Sequence, residues 1–107
     1  MNNIKKIHLI GIGGAGMSGI AEILINLDYE ISGSDLVDTP VTHRLESLGA
    51  KIFYDHSASN VSGKDLIVIS SAISKENLEV LEAENLKIPV IKSCLLYTSD
   101  AADDGIR

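Results

Sequence analysis

The run Ile7-His8-Leu9-Ile10-Gly11-Ile12-Gly13-Gly14-Ala15-Gly16-Met17-Ser18-Gly19-Ile20-Ala21 decides the fold of this chain. With Ile4-Lys5-Lys6 before it, the segment to Ile10 is a short apolar stretch ending in glycines, which reads as a buried strand. From Ala15 to about Leu27 the apolar side chains Met17, Ile20, Ala21, Ile23, Leu24 and Leu27 recur at helical spacing. Gly11 to Gly16 is therefore a G-x-G-x-x-G turn joining a strand to a helix. Gly11 permits the tight turn, Gly13 lets a pyrophosphate approach the backbone, and Gly16 allows close helix–strand packing. The N–H groups from Gly14 to about Met17 would point at an anion, helped by the helix dipole. A glycine-rich turn without a ligand is the bland alternative. Five glycines between Gly11 and Gly19 are conformationally costly, which ligand approach explains better than packing does.

The rest of the chain repeats the alternation. Tyr29 to Ser32 reads as a second strand, closed by Gly33-Ser34-Asp35. Thr39-Pro40 suits a helix start; that helix presents Val41, Leu45 and Leu48 and stops at Gly49. Lys51 to Tyr54 is a third strand, and Asp65 to Ser70, continuous and β-branched, suits the middle of a parallel sheet. Ser74, with Asn77 three residues on, is expected to cap a helix that buries Leu78, Val80 and Leu81. Ile88 to Ile91 is a fifth strand, and Pro89 near its start suggests an edge. Short connections between alternating strands and helices predict an α/β fold. The expected architecture is a Rossmann-like doubly wound parallel sheet of about five strands with helices on both faces.

Ligands of such sheets bind at the carboxyl ends of the strands. Asp35, at the end of the second strand, suits a ribose hydroxyl, as acidic residues there do in dinucleotide-binding proteins; a solvated turn aspartate is the alternative. An NAD(H)-binding domain of an oxidoreductase or regulatory protein is thus the alternative that fold physics favours. His56 follows the third strand, and Ser70, Ser71 and Ala72 follow the fourth, so these can line one crevice with the glycine loop. The serines could equally satisfy loop backbone groups. His8 and His43 read as structural. No metal-ligand spacing appears. Gly63-Lys64-Asp65 lacks the glycine and hydroxyl residue of a P-loop, and no nucleophile–base pair stands out, so no catalytic residue is assigned.

A formal charge of −6 on 107 residues argues against a general nucleic-acid binder, although backbone donors can hold a phosphate without basic side chains. No apolar run approaches the roughly 18 residues of a membrane span. Lys5 and Lys6 before Ile7 to Ile25 loosely imitate a secretory signal, but His8 and Glu22 interrupt the run. A cytoplasmic location is expected. From Cys94 onward the sequence resembles the translation of a transposase sequencing adapter; a genuine acidic tail is the alternative. Residues 1–92 are expected to form the domain and 93–107 a non-native tail. The lone Cys94 supports no redox argument.

Beyond the opening run, Ile31 to Leu36, Pro40 to Thr42, Val68 to Ser74 and Ile88 to Lys92 resemble the Mur ligase family, nearest its L-alanine-adding branch. The similarity covers residues 4–92 and stops at Ser93. It implies that the loop holds the diphosphate of UDP-N-acetylmuramate, with Gly11, Gly13, Gly14, Ala15, Gly16, Met17 and Ser18 around it. Asp35, Leu36 and His56 would lie near the uridine, and Ser70, Ser71 and Ala72 near the phosphates or sugar. The family activates the muramate carboxylate with ATP, and alanine's amine attacks the acyl phosphate. ATP, Mg2+ and L-alanine would be received by further domains, so no cofactor is expected in this piece and it should bind without ligating.

Overall fold

The computed structural model describes residues 4–14, 16–70, 73–74 and 76–93. The expectations for Ala15, Ser71, Ala72 and the tail beyond Ser93 lie outside the described residues. Strands β1 (Lys6–Ile10), β2 (Glu30–Ser34), β3 (Lys51–Phe53), β4 (Leu66–Ile69) and β5 (Val90–Lys92) form one sheet in the order β3-β2-β1-β4-β5. All pairings are parallel, and the strands end level: Ile10 lies beside Ser34 and Ile69, Ser34 beside Phe53, and Ile69 beside Lys92. The expected Rossmann-like sheet is therefore present. Its strand order reverses direction between β1 and β4, which is where such sheets open a crevice.

Alternation along the strands separates two cores. Ile7, Leu9, Ile31 and Val68 face one side, where they meet Met17, Ile20 and Ala21 of α1 (Met17–Asn26) and Leu45 of α2 (Pro40–Ser47). Ile10, Ile67 and Ile69 face the other, against Val80 and Ala83 of α3 (Leu78–Asn85) and Val61 of a short 3-10 helix, Ala58–Val61. Burying each large aliphatic side chain contributes about 1.5–3 kcal/mol, so these two layers hold the sheet between helices on both faces.

Local chemistry sets the helix ends. Thr39 and Thr42 form a reciprocal capping box, with Pro40 at the first helical position. Each described α-helix closes with the paired bonds of a Schellman turn: Asp28 and Tyr29 to Ile25 and Leu24, Gly49 and Ala50 to Glu46 and Leu45, Lys87 and Ile88 to Glu84 and Ala83. Only α2 places glycine at the left-handed position; Asp28 (φ 72°) and Lys87 (φ 63°) adopt it with side chains.

Three expectations need correction. α3 begins at Leu78, capped by Asn77 Oδ1 accepting from the Glu79 N–H, whereas Ser74 Oγ accepts from Glu76 in the preceding turn. Its buried face is Glu79, Val80 and Ala83, the carboxylate being accommodated by His8, Ser34 and His56, and Leu78 and Leu81 are exposed. In the earlier helices, Ile23, Leu27, Val41 and Leu48 likewise lie exposed, and Thr42 takes an inward place beside Leu45. Pro89 does sit at an edge: β5 borders the sheet, and the Pro89 carbonyl accepts from the Ile67 N–H.

Candidate functional site: the carboxyl edge of the sheet

The glycine loop leans on β2. Gly11, at φ +78°, and Ile12 both donate to the Ser34 carbonyl, and Ile12 is fully buried beneath the loop. Gly33 makes this packing possible, since a Cβ there would lie 2.5 Å from Ile12 Cβ and Cδ1. Gly16, at φ +82°, precedes α1 and leaves the helix start without a side-chain cap.

Within the loop, the Gly14 N–H donates to the Gly11 carbonyl, and the Met17 and Ser18 N–H groups donate to the Gly14 carbonyl. An anion arriving here would have to share those N–H donors with the carbonyls or displace them. Gly13 also has a neighbour that no local pattern indicates. Its N–H donates to Asp35 Oδ2 at 2.9 Å, and a Cβ on it would meet that oxygen at 2.8 Å and Thr42 Cγ2 at 3.0 Å. The bare side of Gly13 thus accommodates Asp35 and Thr42. Asp35 takes a second backbone donor, Val37 N–H, at Oδ1. A carboxylate has about four acceptor sites, so capacity for a hydroxyl remains.

Asp35 is half-buried just beyond the end of β2, while Leu36 beside it is 67% exposed. Ser70 follows β4 and its carbonyl accepts from Ile73, which packs close to Gly11. His56 leaves β3 on a loop held by Asn60 Nδ2 donating to the Asp55 carbonyl and by Ser57 capping the 3-10 helix. Loop, Asp35, Leu36, His56 and Ser70 therefore all occupy the carboxyl edge, as their places after β1 to β4 require.

Sequence reasoning missed what lies behind His56. Glu79 reaches from α3 to the sheet with no exposed surface. Its Oε1 lies 2.5 Å from His8 Nε2, and its Oε2 lies 2.5 Å from His56 Nδ1 and accepts from Ser34 Oγ at 2.8 Å. His8 Nδ1 in turn meets Ser32 Oγ at 2.8 Å. Burial alone would raise the Glu79 carboxyl, but hydrogen bonds from His8 and His56, the His8 field and the Ser34 bond outweigh it and hold it below its ordinary value. His8, Ser32 and Ser34 share one sheet face by alternation, so the signal available was a histidine facing inward from the central strand. Such a group demands a partner. Nothing in the sequence pointed to Glu79 as that partner. Among the described residues no side-chain group is arranged to hold a metal, and no helix is long and apolar enough to cross a membrane.

A parallel 3-2-1-4-5 sheet with a glycine loop at its reversal point defines a Rossmann-like domain. A family model described as Mur ligase family, catalytic domain, matches residues 6–96, and the chain belongs to that family. Among curated relatives, the UDP-N-acetylmuramate–L-alanine ligase of Koribacter versatilis is 60% identical over 89 residues, which is 83% of this chain and 19% of the relative. The enzyme of that name from Geobacter sp. strain M21 is 58% identical over 88 residues, 82% of this chain and 19% of the relative. A solved UDP-N-acetylmuramate–alanine ligase from Thermotoga maritima superimposes with a TM-score of 0.85 at 31% identity, covering 94% of this chain and 23% of that one. The chain spans about a fifth of the length of the curated relatives it matches.

Proposed function

We propose that this domain binds UDP-N-acetylmuramate for a longer ligase that joins L-alanine to the sugar's carboxylate. The observation that carries the reading is the coincidence of a glycine loop at the β1–α1 turn with relatives of about 60% identity named for that substrate. The diphosphate lies over Gly11 to Ser18, where the dipole of α1, whose start has no side-chain cap, favours an anion. Asp35, Leu36 and His56 flank the uridine: a carboxylate for hydroxyls, an exposed aliphatic surface for a ring face, and an imidazole. Ser70 to Ala72 border the phosphates or sugar.

In the full reaction, ATP phosphorylates the muramate carboxylate and the amine of L-alanine displaces the phosphate. ATP and Mg2+ are held outside this chain, which contains no P-loop sequence. The domain's part is to bind and orient the UDP end, so that the carboxylate is presented to the rest of the enzyme. That reaction belongs to peptidoglycan assembly and takes place in the cytoplasm. Isothermal titration of this chain with UDP-N-acetylmuramate and, separately, with NAD+ tests the reading. Heat of binding from the UDP-sugar and none from NAD+ at equal concentration supports it. Binding of NAD+ alone makes the crevice a dinucleotide site and removes the ligase reading.

A further inference from the structure

The buried carboxylate behind His56 has a consequence for the face of the ring that reaches the crevice. An ionised carboxylate only accepts hydrogen bonds. Three groups converge on Glu79, namely His8 Nε2, His56 Nδ1 and Ser34 Oγ, so each must supply a hydrogen. For neutral rings, that condition fixes both imidazoles. In His8, Nε2 carries the proton and Nδ1 is left to accept from Ser32 Oγ. In His56, Nδ1 carries the proton and donates to Oε2, with Ser34 Oγ 3.1 Å from the same nitrogen. With both rings neutral, each polar atom that faces Glu79 has a partner, and the cluster carries the one negative charge of the carboxylate, held by three donors.

His56 is the member that touches solvent; its side chain is 20% exposed, whereas those of His8 and Glu79 are fully enclosed. Nδ1 is turned inward, and the opposite edge of an imidazole is the bond carrying Nε2. On a neutral ring with its proton on Nδ1, Nε2 is the bare nitrogen, on the side of the imidazole away from Glu79. We infer that Glu79 is a positioning residue that locks His56 with its proton on Nδ1, so that Nε2 faces the nucleotide crevice as a hydrogen-bond acceptor. The group it selects is a donor on the nucleoside, such as the imide N–H of a uracil ring or a ribose hydroxyl. This inference rests on the UDP-binding reading above, but the tautomer itself does not.

The lock is built from three directions. Asn60 and Ser57 hold the backbone on either side of His56, Asn77 caps the helix that delivers Glu79, and β2 supplies Ser34. A solvated histidine would sample both tautomers and both ring orientations. Here the choice is made by a side chain that no nucleotide can touch, because Glu79 has no exposed surface.

The test labels the histidine ring nitrogens of the whole chain with 15N and reads their protonation by long-range proton–nitrogen NMR at a pH where the rings are neutral. The expected spectrum of the free protein shows His56 protonated at Nδ1 and bare at Nε2. Adding UDP should move the His56 Nε2 resonance toward the hydrogen-bonded range and leave Nδ1 in place. In Glu79→Gln one acceptor oxygen becomes an NH2 donor, so the His56 tautomer should become mixed and UDP affinity should fall about tenfold, the worth of one hydrogen bond. A wild-type His56 protonated at Nε2 overturns the inference outright, and that measurement needs no variant to fold. UDP that shifts the Gly13 to Ser18 amides without moving His56 Nε2 overturns the inference while the binding reading stands. UDP that shifts neither set overturns the binding reading, and with it the assigned ligand group. A Glu79→Gln protein that keeps both tautomer and affinity overturns the positioning role.

Discussion

Replacing Gly33 with alanine tests whether the glycine loop is held by packing on β2. The new Cβ would lie 2.5 Å from both Cβ and Cδ1 of Ile12 and 2.8 Å from its Cγ2, against about 3.4 Å for an ordinary contact. Neither side yields easily. Gly33 is bracketed by Leu9 and Ile52 in the sheet, and Ile12 is fully buried, β-branched and tied through its N–H to the Ser34 carbonyl. Overpacking of this kind costs about 1–3 kcal/mol. The alanine recovers about 0.4–1 kcal/mol by restricting the unfolded chain. A net loss of about 1–2 kcal/mol is expected, or a fall in Tm of roughly 4–16 °C for a domain of this size. Urea unfolding of Gly33→Ala, Ile12→Ala and the double variant checks the cause. Because removing the isoleucine side chain also removes the clash, the double variant should lose at least about 1 kcal/mol less than the sum of the singles. Gly33→Ala unfolding within about 0.5 kcal/mol of the parent, or strict additivity in the cycle, refutes the reasoning.

Gly13→Ala should displace Asp35, since its Cβ would meet Oδ2 at 2.8 Å, and a loss of about 1–3 kcal/mol in urea is expected along with faster exchange of the residue 13 amide. The Schellman ends predict opposite signs for two swaps. Lys87→Gly, at φ 63°, should gain about 0.5–1 kcal/mol, and Gly49→Ala, at φ 116°, should lose about 1 kcal/mol, both read by thermal unfolding. The Glu79 carboxyl is held below its ordinary 4.5, and Asp65, accepting from the Lys6 and Lys5 N–H groups, below 3.8. Folded values below unfolded ones give stability that is present above the unfolded values and lost as pH falls through the folded ones. Unfolding free energy should therefore hold from neutral pH to about 5 and decline below 4.5, with a shallower decline in Glu79→Gln.

The order of the elements was legible because glycine, proline and β-branched residues fall where the backbone needs them. Ile7 to Ala21 shows strand, turn and helix in succession, Thr39-Pro40 starts α2, and Pro89 marks the edge strand. The carboxyl-edge position of Asp35, His56 and Ser70 follows from strand order alone. The inward face of α3 was not legible. Leu78 and Leu81 look like its buried stripe, but Asn77 sets the cap and turns Glu79 to the sheet. A charged residue on a helix normally reads as solvated, and only the polar atoms of His8 and Ser34 on the opposing strands make its burial possible. Nor was it legible that the missing Cβ of Gly13 admits Asp35, a neighbour 22 residues away whose approach no local pattern reveals.

The claim that the glycine loop receives the diphosphate of a UDP-sugar is tested most directly by residue-resolved amide NMR of this chain during titration with UDP-N-acetylmuramate. The account predicts that the largest shifts fall on Gly13, Gly14, Gly16, Met17 and Ser18, with smaller ones at Asp35, Leu36 and His56, and that equal NAD+ produces much weaker changes. Shifts confined to residues away from the carboxyl edge, or a loop that responds to NAD+ and not to the UDP-sugar, would contradict it.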